Sequence, residues 1–343
     1  MAPHELTTTK IGSLPSNFDI DAKLLNNFVL LNDKEHVKDY DFYRFLVGDL
    51  HGIARCKVVT KSAYMGGSPR KGPGMTWRVL LLAFDSFNNF EFTRSDGRPC
   101  TDARLMVEQS VPRPLAWAGG DHSVAALVCE SWWGVDEQPQ LACPRFIARR
   151  LCEELETDYK LQILHATEME FTLFNEGGEP SCDEGGFLVA QEFACHEEEI
   201  LQLSTMCEKA GIPIETLQTE YGPGQFEVVL KPTFGVEGAD NEFLFRNIAK
   251  ELLQKPGQPS RCTFMSKPIA GKVGNGSHFN HSLWRIKNNG DKEDAMWDGT
   301  EKCRLTKLAQ HWLAGILKHS PALSGMLYFI KKFLYNFLIF KFD

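Results

Sequence analysis

The spacing of apolar positions divides this chain into two regimes. From Asp41 the run FYRFLVGDLHGIARCKVV alternates apolar and polar residues on either side of Asp49-Leu50-His51-Gly52. That pattern predicts a β-hairpin whose turn needs a permissive backbone. MGGSPRKGPGM reads as a flexible loop, and strand-like spacing resumes in VLLLAFD and AALVCESWW. Residues 36–135 therefore predict a small β-rich domain, preceded by a loose arm over residues 1–35.

The period then lengthens. Pro144 suits a first helical turn, and Ile147, Leu151 and Leu155 recur on one face. A second helix is predicted over 196–210, with Ile200, Leu203, Cys207 and Ala210 on its apolar side and Gly211 as its stop. A third starts at Asp240 as N-cap, buries Leu244, Ile248 and Leu252, and ends at Pro256-Gly257. A fourth runs from about Thr300 to Lys318, with Leu305, Leu308, Trp312, Leu313 and Ile316 as its stripe. Strands are predicted at 162–174, 213–220, 225–231, 260–266 and 277–284. Hairpin pairs separated by helices give an α+β fold, a sheet with helices packed on one side.

Composition narrows the function classes. With 343 residues, 43% hydrophobic and 24% charged, the chain is an ordinary globular one. A net charge of −8 argues against a nucleic-acid binder. The stretch GMLYFIKKFLYNFLIFKFD is dense in aromatics, but Lys331, Lys332 and Lys341 interrupt it too often for a membrane span. Ten cysteines without a CxxC pair suggest neither a zinc site nor a disulfide framework. MAPHELTTTKIGSLPS lacks the basic start and apolar core of a secretory signal, so the expected setting is the cytoplasm.

Chemistry collects in three stretches. In LHATEMEFTLF, strand alternation turns Glu168 and Glu170 one way, while Ile163, His165, Thr167, Met169 and Phe171 form the opposite, core-like face. The two acids alone also fit a solvent-facing strand edge. In TEYGPGQFEVVLKP a Gly-Pro-Gly turn folds Glu220 back toward Gln225 and Glu227, although a polar hairpin would look the same. Two unit charges ~5 Å apart repel by about 3 kcal/mol at an effective dielectric near 20. Four carboxylates on one sheet face therefore call for divalent cations, and hard oxygen donors suit Mg²⁺ or Mn²⁺. In GNGSHFNHSLW, His278, Asn280 and Ser282 share one strand face, and Phe279, His281 and Leu283 take the other. His278 would add an imidazole to the carboxylates, while Gly274 and Gly276 allow close approach to the main chain.

The ordered set EME, EYGPGQFE, FMSKP, GNGSH and WLAGILKHSPAL resembles the glutamine synthetase family over roughly residues 140–325. HSLW, ADNEF and HWLAGILKHSPALSG are most similar to its lengsin branch. The resemblance implies a β-grasp-like N-terminal domain (36–135). A catalytic domain with a curved antiparallel sheet (136–325) and a divergent tail (326–343) would follow. It implies that Glu170, Glu220 and Glu227 hold one Mg²⁺ or Mn²⁺ and that Glu168 and His278 help hold a second, with Glu220 and Glu227 counted as catalytic. Gly274 and Asn275 would lie at bound glutamate, and Asn280, His281 and Ser282 at ATP. The implied reaction joins ammonia to the glutamate γ-carboxylate through γ-glutamyl phosphate, in a homo-oligomeric ring. Departures from the family pattern are Asn280 in place of a second His, Val273 in place of a small or polar residue, and no visible Asp-Gly-Ser-Ser segment. After SPAL the family's arginine-rich part of the site does not follow, so an incomplete chain with little ligase activity is expected. The competing expectation is a non-catalytic, lengsin-like scaffold with cytoskeletal or other structural partners.

Overall fold

Asp49 closes the first element. Its Oδ1 accepts hydrogen bonds from the backbone N–H groups of His51 at 2.9 Å and Ile53 at 3.0 Å, and Gly52 takes φ +73° in the turn. The computed structural model describes residues 40–68, 70–81, 101–108, 110–182, 185–254, 260–301 and 303–327. In it this turn joins β1 (Phe42–Gly48) to β2 (Ala54–Thr60), as the alternation predicted. The short helix α1 (Lys61–Met65), β3 (Lys71–Met75), β4 (Ala103–Met106), β5 (Arg113–Pro114), β6 (Val124–Val128) and β7 (Glu130–Trp133) follow.

Two small sheets result. One has the order β2-β1-β6-β5 with β1 parallel to β6, a β-grasp-like arrangement, and the other the order β3-β4-β7. KGPGM, read as loop, is thus a strand. Its glycine permits this, because a Cβ at Gly72 would overlap the Phe45 ring. VLLLAFD departs too: Val79–Leu81 is a 3-10 turn with Val79 and Leu80 buried, and the rest lies outside the described residues. The arm 1–35, the Pro256-Gly257 stop and the tail beyond Leu327 also lie outside them.

Helix α2 (Pro144–Tyr159) carries Pro144 in its first turn and ends at Lys160, whose φ is +55°. Of its apolar stripe, Ile147 and Leu151 are exposed, and only Leu155 packs, partly buried, against Leu161 and Leu283. The inward residues are Arg145 and Arg149. Arg149 Nε donates to Glu130 Oε1 at 2.6 Å, and Arg145 Nε and Nη2 each donate to the Asp240 carboxylate at 2.8 Å. Arg145 Nη1 also reaches Glu130 Oε1 at 3.2 Å. Largely buried charges of this kind persist only when paired and hydrogen-bonded.

The central sheet has seven strands: β8 (Leu161–Asn175), β9 (Ile214–Thr219), β10 (Gln225–Leu230), β11 (Thr233–Phe234), β12 (Ser260–Thr263), β13 (Ser277–Ile286) and β14 (Lys292–Asp294). They pair antiparallel in the order β14-β13-β8-β10-β9, with β11 and β12 also on β8. Between β8 and β9 lie α3 (Ala190–Ala194) and α4 (Glu197–Lys209). Ile200, Leu203, Cys207 and Ala210 are buried there, and Gly211 turns at φ +72°. Helix α5 (Glu237–Leu253) buries Leu244, Ile248 and Leu252 as predicted, but starts ahead of Asp240. Asp240 is therefore not the N-cap; its carboxylate is held by Arg145 instead. Helix α6 (Lys307–Leu327) begins later than predicted and continues through Pro321. Thr306 Oγ1 accepts from the Ala309 N–H at 3.2 Å, and Leu305 sits in a bridge with Trp297 before the helix.

Met169, Phe171 and Leu173 of β8 and Phe226 and Val228 of β10 pack against Leu203 of α4 and Phe245 of α5. Leu46 of β1 and Ala126 of β6 join the same core. The helices cover one face of the central sheet, and burial on that side fixes which β8 residues point to the other. Among the described residues no helix is long and apolar enough to cross a membrane.

Candidate functional site

Strand alternation sends Glu168 and Glu170 to the face of β8 opposite the Met169–Phe171 core. Register then decides their neighbours. Glu227 on β10 lies directly opposite Glu170, and Gln218 on β9 directly opposite Glu227. On the other side His278 of β13 lies opposite Glu168. The central strand thus joins two rungs of polar side chains.

One oxygen or nitrogen atom from each of Glu168, Glu227 and His278 falls within 4.8 Å of the others, a spacing compatible with a shared metal ion. Both oxygens of Glu168 are held: Oε2 lies 2.9 Å from His278 Nδ1, and Oε1 accepts from Asn280 Nδ2 at 2.7 Å. Gln218 Nε2 donates to Glu220 Oε1 and Glu227 Oε1, each at 3.0 Å, so one amide bridges two carboxylates. Glu170 Oε2 accepts from the Gly276 N–H at 2.9 Å and from Gln225 Nε2 at 2.6 Å.

The electrostatics match this crowding. Burial, and then the charges of Glu168, Glu220 and Glu170, push the Glu227 carboxyl up to about 7. Burial likewise raises Glu170, against the pull of the Gly276 N–H. A nearby positive charge would relieve this crowding.

The glycines of GNGSH have local reasons. A Cβ at Gly274 would overlap the Ser266 carbonyl oxygen, and one at Gly276 would lie 2.8 Å from Glu170 Oε1. Asn275 points inward. Its Nδ2 donates to the Thr263 and Met265 carbonyls at 3.2 and 2.9 Å, and its Oδ1 accepts from Thr172 Oγ1 at 2.9 Å. Its side chain anchors the loop and does not face the carboxylates.

Asn280 and Ser282 share the carboxylate face of β13, with Ser282 Oγ accepting from Trp284 Nε1 at 2.9 Å. His281 does not. It lies on the opposite face, where Trp312 Nε1 of α6 donates to its Nε2 at 2.8 Å and burial lowers its pKa. Strand alternation thus places the His281 side chain against α6, away from the face that carries Asn280 and Ser282. The amides of Gln218 and Gln225 escaped the sequence reading as functional groups. The available signal was their position: Gln218 precedes Glu220 by two residues, and Gln225 precedes Glu227 by two.

Known proteins resemble this chain in sequence and fold. The family described as glutamine synthetase, catalytic domain, matches residues 141–328. Lengsin of Rattus norvegicus is 28% identical over 298 residues, covering 86% of this chain and 50% of that protein. Glutamine synthetase of Staphylococcus aureus is 33% identical over 223 residues, covering 61% of this chain and 46% of that one. The chain thus spans about half the length of the curated relatives it matches. A solved structure described as a novel glutamine synthase homolog superimposes with a TM-score of 0.70 at 26% identity, over 84% of this chain and 65% of its own. Plasmodium falciparum glutamine synthetase gives 0.69 at 17% identity, over 86% and 59%, which is a likeness of fold. The α+β architecture, the sheet-borne carboxylates and the matched profile together place this chain in the glutamine synthetase family.

Proposed function

We propose that Glu168, Glu227 and His278, with Glu170 and Glu220 beside them, hold Mg²⁺ or Mn²⁺. We further propose that the site serves ATP-dependent ligation of ammonia or an amine to the glutamate γ-carboxylate through γ-glutamyl phosphate. The observation that carries this reading is the convergence of three candidate ligand atoms within 4.8 Å on one sheet face. The donor set fits the ion, since hard carboxylate oxygens and one imidazole suit these cations and relieve the pressure on Glu227. When bound, such an ion neutralises phosphate charge in the transferring group.

The chain's own residues supply order. Asn280 and His278 fix both oxygens of Glu168. Gln218 bridges Glu220 and Glu227, and the Gly276 N–H holds Glu170. Side chains preorganised in this way need little rearrangement when substrate arrives. Glutamate is assigned to the Gly274 side, and ATP to the Asn280 and Ser282 side. The cytoplasm as setting and a homo-oligomeric ring, in the family's manner, complete the proposal. The departures at Val273 and Asn280 favour, in second place, a non-catalytic lengsin-like role with cytoskeletal or other structural partners.

The test is ATP binding with and without Mn²⁺, followed by γ-glutamyl hydroxamate formation from glutamate, ATP and hydroxylamine. Mn²⁺-dependent ATP binding that Glu227→Gln abolishes supports the reading. ATP affinity indifferent to both Mn²⁺ and Glu227→Gln overturns it.

A further inference from the structure

Gln225 is buried, and its orientation is set by what surrounds it. Its Oε1 accepts from the Gly222 N–H at 2.8 Å, so the amide nitrogen must face the other way. There Nε2 meets Glu170 Oε2 at 2.6 Å, the Gly274 carbonyl at 3.0 Å and Asn275 Oδ1 at 3.2 Å. Its two hydrogens serve these three acceptors. The shortest contact is the one to the carboxylate, as expected when the acceptor carries charge. Glu170 belongs to the carboxylate face, whereas Gly274 and Asn275 belong to the loop leading into β13.

That loop has few other ties to the carboxylates. Gly276 N–H also bonds Glu170 Oε2, and Asn275 N–H goes to the Ser266 carbonyl at 3.1 Å. The Glu170 N–H also donates to the Gly276 carbonyl at 3.1 Å, and the Asn275 side chain ties the loop to Thr263, Met265 and Thr172, none of them a carboxylate. Gln225 is therefore the side chain that reaches both the carboxylate and the loop.

We propose that Gln225 is a positioning residue that latches the 274–276 loop to Glu170, so that the order of the loop and the state of the carboxylate site change together. The direction of the coupling follows from the shared hydrogens. A cation that takes up the acceptor capacity of Glu170 leaves both hydrogens of Gln225 to Gly274 and Asn275, and the loop tightens. This coupling rests on the cation reading proposed above; the latch itself does not.

Hydrogen exchange of the chain's backbone amides separates the two. Gln225→Leu and Gln225→Met both remove all polarity, and Met keeps the length. Without metal, each variant is expected to speed exchange at residues 274–276 by about tenfold or more while β1 and β6 exchange as in the wild type. With Mg²⁺, the wild-type loop is expected to exchange severalfold more slowly and the variant loops to show no such protection. Variants that match the wild type at 274–276, or that loosen the whole sheet uniformly, overturn the latch. Mg²⁺ protection as large in Gln225→Met as in the wild type overturns the coupling. If Mg²⁺ leaves wild-type exchange unchanged everywhere while the variants still loosen the loop, the latch stands and the cation reading falls.

Discussion

Replacing Glu227 by Gln should change how stability depends on pH when no metal is present. Folding raises this carboxyl from its ordinary 4.5 to about 7, with burial as the main cause and Glu168, Glu220 and Glu170 as further ones. Between those values the folded protein holds a proton that the unfolded chain releases. The group's contribution is therefore fully present below pH 4.5, is lost as pH rises toward 7, and stays lost above it. At ~1.36 kcal/mol per pH unit the full shift corresponds to about 3 kcal/mol, and solvent screening of a partly hydrated group brings it to about 2. Gln cannot ionise, so Glu227→Gln should gain about 2 kcal/mol relative to wild type between pH 5 and pH 8. Urea unfolding in EDTA at half-unit pH steps measures this. Glu168, Glu170 and Glu220 couple to this carboxyl, so the difference between the two proteins reads position 227 together with the response of its neighbours. Two stability curves that run parallel from pH 5 to pH 8 would refute the electrostatic account of the site.

Two further outcomes follow from the packing. Glu130→Gln removes the carboxylate facing Arg145 and Arg149 and leaves buried cations underpaired, so urea unfolding should show a loss of about 3 kcal/mol or more. Gly276→Ala places a methyl 2.8 Å from Glu170 Oε1. It should weaken Mn²⁺ binding by about tenfold in calorimetry, the usual effect of disturbing a group that orients a ligand.

Much of the site was legible because β8 alternates without interruption. Glu168 and Glu170 could be placed on one face from spacing alone, and so could His278 and Asn280 on β13. Register was not legible. That Glu170 faces Glu227 while Glu168 faces His278 depends on backbone pairing that no residue pattern records. The amide roles of Gln218 and Gln225 were hidden for a related reason, since an amide's function depends on which way its neighbours orient it. Helix boundaries failed where side chains had tertiary partners. Asp240 has the chemistry of an N-cap, yet Arg145 holds its carboxylate inside the first turn of α5. Ile147 and Leu151 form a helical stripe, yet the ionic pairs of Arg145 and Arg149 decide which face of α2 turns inward. KGPGM has a loop's composition, yet its glycine fits against Phe45 and the segment pairs as a strand.

The central claim is that Glu168, Glu227 and His278 form one cation site. Calorimetric titration of Mn²⁺ into wild type, Glu227→Gln and His281→Gln tests it most directly. His281 is the internal control, because it lies on the same strand as His278 but on the opposite face. Saturable binding that falls by at least about tenfold in Glu227→Gln and changes little in His281→Gln is the expected result. Equal losses in the two variants, or no saturable binding to the wild type, would contradict the account.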